Sequence, residues 1–260
     1  MVEVYTWEPN SNAGKPLLCL KEKGVEFVYH YVDIGRREQH SPEYLKINPN
    51  GTVPTLVHDG VSFTESTPAM EYIDEAFEGP PLRPTDPHLL WRMRKWCRFM
   101  DASLCPAFAM IASHALASAR FSQQDPDELR RALDRVPLPE RKRSWSMQMF
   151  NRVPKAEVAE SARRIEAAIP VYEAALGEYP YLAGPEYSLA DINAFCTIYA
   201  LPLQRPEQVN RERTPNFMDW YRRCHERPAI QEAFALGHDW VAGRVREMRR
   251  LLGIESVCGG

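Results

Sequence analysis

The sequence predicts an α/β domain followed by an all-α domain. Three observations predict this architecture: the first eighty residues alternate strand-like and helix-like segments, a proline-rich stretch follows them, and convincing strand patterns are absent beyond it. The 260 residues, with 44% hydrophobic and 26% charged side chains, are enough for two modest domains that each bury a core. We therefore predict domains at 1–80 and 88–260, joined by a linker at 81–87.

The first domain is predicted to begin with a β-α-β unit. Residues 2–7 alternate and are β-rich, and the turn formers at 8–12 end this strand. A short apolar helix follows over about 15–23, and Gly24 ends it in the manner of a helix C-cap. Residues 27–32 are a second β-rich run, so the unit closes within about thirty residues.

The rest of the first domain is predicted as an irregular stretch, a hairpin and a helix. Residues 55–57 and 61–63 flank Asp59-Gly60, a dipeptide that strongly favours a hairpin turn. A helix then starts around Ser66 or Thr67, one of which is expected to cap it, and runs to about Phe77. Pro80, at the end of the first domain, and Pro81, Pro84 and Pro87 in the linker make this connection stiff.

The second domain is predicted as a helical bundle. Helical spacing of apolar residues covers 88–121, 155–176, 190–201, 215–226 and 228–251. Between the first two segments lies a polar, proline-containing insertion at 124–154, with a little helix near 127–133. The helix start at Ser188 resembles a capping box with Asp191 at its third position, so we expect Asp191 to be structural.

Composition and charge exclude several classes of function. Residues 1–80 carry 6 Lys and Arg against 13 Asp and Glu, a net charge of −7, and the remainder carries +4. The arginines of the second half alternate with acids along helices, so no nucleic-acid partner is predicted. No segment has the roughly 20 apolar residues of a membrane span, and no leader peptide is expected. Neither membrane binding nor a secretory route is predicted.

The cysteines indicate a reducing compartment, and their spacing does not predict a metal site. The six cysteines lie far apart, without the paired Cys or His spacing of a zinc site. Free thiols in the cytoplasm are therefore expected. The glycine-rich nucleotide loops, the H-E-x-x-H zinc motif and the G-x-S-x-G esterase motif are also missing.

Several motifs, taken together, resemble the glutathione S-transferases. They are Asn48-Pro49-Asn50-Gly51-Thr52-Val53-Pro54, then Asp59-Gly60, Glu65-Ser66 and Ser188-Leu189-Ala190-Asp191. The joint pattern covers essentially the whole chain. Further segments resemble the bacterial β-etherases of lignin degradation: Asn12, Lys15-Pro16-Leu17, Pro84-Thr85-Asp86-Pro87, Val136-Pro137-Leu138-Pro139-Glu140 and Leu203-Gln204-Arg205-Pro206. The resemblance implies a thioredoxin-like N-terminal domain, an all-helical C-terminal domain and glutathione as cosubstrate.

Ser11 and Asn12 are the candidate catalytic residues. They lie in the turn that opens the first helix, where a hydroxyl, an amide, backbone N–H groups and the positive end of the helix dipole converge. We expect Ser11 to be the primary donor to the glutathione thiolate and Asn12 the second, although the family places a hydroxyl after the asparagine. The register leaves open which one dominates, and both residues also suit a purely structural turn.

The resemblance also assigns the glutathione-binding residues. It implies a cis peptide bond between Val53 and Pro54 and backbone pairing of Val53 with the cysteinyl segment. Glu65 is expected to bind the ammonium group and Ser66 the carboxylate of the γ-glutamyl end. His40, with Lys46 as the alternative, is the candidate for the glycine carboxylate. The electrophile pocket is expected to draw on Trp96, Phe99, Met100, Phe108, Met110, Ile111, Trp145 and Tyr199.

The resulting functional hypothesis is a glutathione transferase that cleaves β-aryl ethers of lignin-derived aryl ketones. A general glutathione-conjugating transferase or dehalogenase is one alternative, and a noncatalytic relative that binds glutathione or a protein is another. By resemblance, the chain is expected to form a homodimer and to bind a small aromatic substrate.

Overall fold

A computed structural model describes residues 1–121 and 123–254. Four strands form one sheet in the order β2-β1-β3-β4, with β2 parallel to β1 and with β3 and β4 antiparallel to their neighbours. The strands are β1 (Val2–Thr6), β2 (Val28–Tyr31), β3 (Thr55–His58) and β4 (Val61–Phe63). The predicted hairpin is confirmed, and its turn places Asp59 and Gly60 at φ 49° and 82°.

Three helices accompany the sheet. They are α1 (Gly14–Lys23), α2 (Pro42–Ile47) and α3 (Ser66–Ala76). Gly24 ends α1 at φ 69°, as predicted. The prediction of an irregular stretch before the hairpin is wrong in part, because a 3-10 turn (Glu38–His40) and α2 lie within this stretch. Ser41 caps α2 by accepting the Tyr44 N–H, but six residues are too few to show a helical period.

All elements after α3 are helical, as predicted. They are α4 (Pro87–Phe99), α5 (Cys105–Phe121), α6 (Pro126–Asp134), α7 (Pro139–Met149), α8 (Lys155–Glu178), α9 (Leu189–Ile198), α10 (Leu201–Gln204), α11 (Pro215–Glu226), α12 (Pro228–Ala235) and α13 (Asp239–Leu252). The fold is therefore a thioredoxin-like domain followed by an all-helical domain.

Three details of the helical prediction were wrong. The segment 88–121 contains a π-helical turn (Met100–Leu104) between α4 and α5, the insertion holds a second helix, α7, and the last segment breaks between α12 and α13. A wide turn adds one residue without interrupting the apolar pattern, so periodicity does not reveal it. Gly237 lies at the break, where an added Cβ would come within 3.2 Å of the Glu8 carboxylate.

The two parts of the molecule share one apolar core. It combines Leu17 and Leu20 of α1 with Phe195 of α9 and Trp220 of α11, all of them fully buried. A smaller cluster lies under α6 and α7 and is formed by Phe121, Leu129, Ala132, Leu133, Val136 and Met149. The insertion is therefore packed as a unit of its own against the end of α5.

Ion pairs hold the first domain to the second. Arg227 donates two hydrogen bonds to Glu22 of α1, at 2.6 and 2.7 Å, and its guanidinium lies 3.8 Å from the ring centre of Tyr187. A bidentate pair of this kind is stronger than an ordinary surface ion pair. Within residues 1–121 and 123–254, no helix has the length and apolar character needed to cross a bilayer.

Candidate active site between the two domains

The sheet register gathers the predicted site loops at one end of the first domain. Tyr5 pairs with Thr55 and Leu56 pairs with Phe63, so the end of β1, the start of β3 and the end of β4 are neighbours. The segment 7–13, the segment 48–54 and the segment 64–66 leave the sheet at these points. Residues that are far apart in sequence therefore meet above this end of the sheet.

The turn between β1 and α1 is tightly built. Ser11 Oγ donates to the Glu8 carbonyl oxygen at 2.7 Å and accepts the Ala13 N–H at 3.2 Å. A side chain at Gly14 would place a Cβ 2.1 Å from the Pro9 carbonyl oxygen, so only glycine fits where α1 begins. Ser11 therefore supports the turn as well as lying at the site.

Asn12 is the exposed side chain of this turn. Its Oδ1 accepts a hydrogen bond of 3.2 Å from the Thr197 hydroxyl on α9. The amide thus bridges the two domains and stands beside the N-terminus of α1, where the helix dipole favours negative charge.

The Val53–Pro54 peptide bond is cis, as the resemblance implied. The loop that carries it is held by two buried side chains, Asn48 and Tyr44. Asn48 Nδ2 donates to the Thr52 carbonyl oxygen at 2.8 Å, and the Tyr44 hydroxyl donates to the same oxygen at 2.6 Å. Asn48 belongs to a motif of the family resemblance, but its supporting role depends on hydrogen bonds that the motif does not predict.

The start of α3 differs from the prediction. Glu65, rather than Ser66 or Thr67, occupies the N-cap position, and no side chain in the described part of the chain caps this helix. Thr67 lies inside the helix and accepts a hydrogen bond from Asn193 at 2.8 Å. Glu65 is exposed at φ 65°, a conformation that costs a non-glycine residue energy and often marks a functional site.

His40 lies below the insertion. Its side chain is 2% exposed, and its ring meets that of Trp145 edge-on at 5.9 Å. Burial, followed by the nearby charge of Arg135, lowers the pKa of His40 to about 4, so the imidazole is neutral near pH 7. Its Nδ1 has no hydrogen-bond partner in the described residues. The alternative Lys46 is exposed on α2.

A polar cluster that sequence reasoning missed lies directly behind Asn12. The fully buried Lys15 donates to Asp101 Oδ1 at 3.2 Å, and its Nζ lies 3.6 Å from Cys105 Sγ. Asn193 also donates to Asp101 Oδ1, at 3.3 Å. These residues come from α1, the π-helical turn, α5 and α9. Because Lys15 precedes the other three by 86 positions or more, no local pattern connects it to them.

The expected pocket residues divide into two groups. Trp96, Met100 and Tyr199 are buried in the main core, with 7%, 0% and 1% of their surface exposed. The half-buried ones are Phe99, Phe108, Met110, Ile111 and Trp145. Only the second group has surface to offer a ligand, and most of it lies on α5 and on the insertion.

A thioredoxin-like sheet with its site loops at one end, facing a helical domain, defines a class of protein. The N-terminal domain of glutathione S-transferases matches residues 11–76, and the C-terminal domain matches residues 104–228. The chain belongs to the glutathione S-transferase superfamily, whose members use glutathione as cosubstrate.

Individual relatives narrow the comparison. Protein LigF of Sphingobium sp. strain SYK-6 is 36% identical, and the match covers 90% of this chain and 93% of that protein. A crystal structure of beta-etherase LigF superposes with a TM-score of 0.84 and covers 98% of that chain. A probable glutathione S-transferase, GSTF1 of Oryza sativa, is 26% identical over 90% of this chain and 96% of the relative. Glutathione transferase F7 of Populus trichocarpa, at 23% identity and a TM-score of 0.68, shares the fold.

Proposed function

We propose that this protein is a glutathione-dependent β-etherase, which cleaves the β-aryl ether bond of lignin-derived aryl ketones. One observation carries the proposal: similarity to beta-etherase LigF extends over 90% of the chain at 36% identity, with a TM-score of 0.84. The turn with Ser11 and Asn12 opens the segment that matches the N-terminal domain of glutathione S-transferases. The substrate class is inferred from the similarity to that relative, and the reaction chemistry is inferred from the residues of the site.

The first chemical requirement is a thiolate. A free thiol is mostly protonated near neutral pH, and only the anion is a good nucleophile. Lowering a thiol pKa by about two units takes about 2.7 kcal/mol of preferential stabilisation. One or two hydrogen bonds to the charged sulfur, at roughly 1.5–3 kcal/mol each, are sufficient.

We assign the larger share of this stabilisation to Asn12 and the smaller to Ser11. The single proton of the Ser11 hydroxyl is donated to the Glu8 carbonyl oxygen, so Ser11 must give up that bond to reach a sulfur. The Asn12 side chain is exposed, and its oxygen is already bonded to Thr197, which leaves its two N–H donors on the other side.

The remaining contacts follow the loops at the end of the sheet. We assign the backbone of Val53, beside Pro54, to the cysteinyl segment of glutathione. Glu65 binds the ammonium group and Ser66 the carboxylate of the γ-glutamyl end, since the uncapped start of α3 favours an anion. Lys46, the alternative to His40, is assigned to the glycine carboxylate, because it is exposed on α2 whereas His40 is buried beneath Trp145.

The reaction is a nucleophilic displacement. The thiolate attacks the carbon that carries the ether oxygen and adjoins the ketone carbonyl, a C–S bond forms, and the C–O bond of the ether breaks with its electron pair. The leaving phenoxide takes a proton from water, and the products are a phenol and a glutathione thioether. A phenoxide is a tolerable leaving group, so strong acid assistance at the site is unnecessary.

A second candidate is a general glutathione-conjugating transferase or dehalogenase that uses the same thiolate on other electrophiles. The similarity to the probable glutathione S-transferase of rice over 90% of the chain favours it. A noncatalytic relative that only binds glutathione or a protein is the remaining alternative.

One assay separates these functions. The full-length protein is incubated with glutathione and either a β-aryl ether ketone, a chlorinated aromatic compound or no electrophile. Equal amounts of phenol and thioether from the ether support the β-etherase. Chloride release or conjugation without phenol supports the second candidate. If the protein binds to a glutathione column but yields no product from any electrophile, catalysis is contradicted. If the protein does not bind to the column, catalysis is contradicted as well.

We also propose a cytoplasmic homodimer. Five described cysteines are buried free thiols, which suits a reducing compartment. The opposite charges of residues 1–80 and 81–260 favour pairing of the first domain of one subunit with the helical domain of the other. Light scattering on the purified protein tests the dimer.

A further inference from the structure

Thr197 lies near the end of α9 in the helical domain, yet its side chain contacts the catalytic turn of the other domain. Its Oγ1 donates to Asn12 Oδ1 at 3.2 Å. Thr197 Oγ1 also lies 3.2 Å from the Asn193 carbonyl oxygen and 3.3 Å from Cys105 Sγ. Thr197 therefore connects an exposed amide to groups in the protein interior.

The bond matters because an amide side chain has an acceptor end and a donor end. Only the Nδ2 end of Asn12 stabilises a thiolate, whereas the Oδ1 end repels it. An exposed asparagine rotates almost freely about its last torsion, so either end can face a ligand. A hydroxyl that donates to Oδ1 selects the orientation in which the Nδ2 donors face away from α9.

The surroundings of Thr197 favour donation to Asn12. A hydroxyl has one proton, and the Asn193 carbonyl oxygen competes for it at 3.2 Å while it shares its lone pairs with the backbone N–H four residues later in α9. Cys105 can donate its thiol proton to Thr197 Oγ1, and accepting that bond strengthens the hydroxyl as a donor. Lys15 holds Cys105 from the other side, with 3.6 Å between Nζ and Sγ.

We propose that Thr197 is a positioning residue of the transferase reaction, whose hydroxyl holds the Asn12 amide with its donor end towards the sulfur of glutathione. The inference rests on the proposed function, since it takes Asn12 to be the thiolate donor. It makes the helical domain a contributor to thiol activation as well as to electrophile binding. Thr197 acts through Asn12.

The test compares Thr197→Val, which keeps the shape and removes the hydroxyl, with Thr197→Ser, which keeps the hydroxyl. Thr214→Val is the matched control, because it deletes a hydroxyl that bonds to Asn210 at 3.0 Å in the same domain. For each full-length variant, the thiol pKa of bound glutathione is measured from the ultraviolet absorbance of the thiolate. Affinity for S-methylglutathione, which has no thiol, is measured in parallel.

Thr197→Val is expected to raise the thiol pKa by about one unit, a roughly tenfold loss of thiolate near neutral pH, while S-methylglutathione binds as before. Thr197→Ser and Thr214→Val should keep the wild-type pKa. An unchanged or lower pKa in Thr197→Val overturns the inference, and so does an equal rise in Thr214→Val. Thr197→Ala is interpreted in the same way if the valine variant does not fold.

Asn12→Ala distinguishes a failure of the assignment of Asn12 as thiolate donor from a failure of the positioning role of Thr197. If it leaves the thiol pKa unchanged, Asn12 is not the thiolate donor, and both the proposed donor and the inference fail. If Asn12→Ala raises the pKa and Thr197→Val does not, the donor stands and only the positioning role of Thr197 is refuted.

Discussion

Two polar side chains on α9, Asp191 and Asn193, are both fully buried but differ in how completely their hydrogen bonds are made. The Asp191 carboxylate accepts four hydrogen bonds of 2.9 to 3.0 Å, from the Leu182 N–H, the Ser188 N–H and hydroxyl, and the Trp220 indole. Asn193 donates to Thr67 and Asp101, but its Oδ1 has no partner among the described residues.

The difference separates a structural cluster from one that borders the site. The partners of Asp191 all belong to the helical domain, and every bond serves to join α9 to α11 and to the segment before it. Of the partners of Asn193, Thr67 lies across the domain boundary, and Asp101 is bound in turn by Lys15 of the first domain. Buried polar groups almost always have a hydrogen-bond partner, so an unpartnered one needs a specific explanation. We attribute the unpartnered oxygen of Asn193 to the position of this residue, which supports the fold and also borders the candidate site.

The largest expected effect is the loss of stability in Asp191→Ala. The change leaves the Leu182 and Ser188 N–H groups and the Trp220 indole N–H buried without an acceptor, which should cost about 3–5 kcal/mol. Denaturant unfolding measures it. Asn193→Ala is the matched comparison and should cost less, about 1–2 kcal/mol, because it also removes the unsatisfied oxygen. Equal losses would contradict the distinction between the two clusters.

The next effect is on activity. Asn12→Ala should lower kcat/KM about 100-fold, equivalent to about 2.7 kcal/mol, because the thiolate loses its main donor. The free energy of unfolding of Asn12→Ala should stay within about 0.5 kcal/mol of the wild-type value, since the Asn12 side chain is exposed. Asn216→Ala, an exposed asparagine that donates to Glu173, is the control and should keep full activity. A stability loss in place of an activity loss would make Asn12 a structural residue.

A third effect tests the apolar side of α9, where Phe195 and Tyr199 pack on His225 at 5.1 and 5.2 Å between ring centres. Burial, followed by the charge of Arg249, lowers the pKa of His225 to about 3. The unfolded chain therefore binds a proton, near the ordinary pKa of about 6.5, that the folded chain rejects. Stability contributed by this group is complete above about pH 6.5 and is lost as the pH falls towards 3.

At pH 5 this loss should reach about 2 kcal/mol relative to pH 8. His225→Phe keeps a ring and cannot be protonated, so its urea unfolding should show a smaller difference between pH 8 and pH 5. His88→Phe, at an exposed position, should keep the wild-type difference. An unchanged pH dependence in His225→Phe would mean that the acid sensitivity arises elsewhere.

The smallest effect concerns the start of α9. Ser188→Ala removes the capping hydroxyl with its bond of 3.0 Å to Asp191 and leaves the Ser188 N–H bond in place, so it should cost about 1 kcal/mol. Thermal unfolding checks this value. A loss as large as that of Asp191→Ala would show that the hydroxyl, and not the carboxylate, organises the cluster.

Local signals predicted much of this molecule. The hairpin at Asp59-Gly60, the end of α1 at Gly24 and the start of α9 at Ser188 follow from turn and capping chemistry within a few residues. The missed helices α2 and α7 are short or mostly polar, so they lack an apolar period. Each is stable because neighbouring elements pack on it, which no window of sequence reports.

The candidate site shows the same division. The order of strands and helices predicts that Ser11, Asn12, Val53, Pro54, Glu65 and Ser66 lie at one end of the sheet, whereas their roles are what the family resemblance implies. The support that they receive was not predictable. Asn48 and Tyr44 hold the segment before β3, and Lys15 pairs with Asp101 only after two domains have packed together.

The sequence by itself determined the order of the elements, the turns between them and the identity of the residues at the sheet end, because these depend on interactions over a few positions. Tertiary structure alone decided that Thr197 meets Asn12 and that His40 is buried beneath Trp145. Contacts across more than a hundred residues depend on how whole helices pack, and packing is a property of the assembled core.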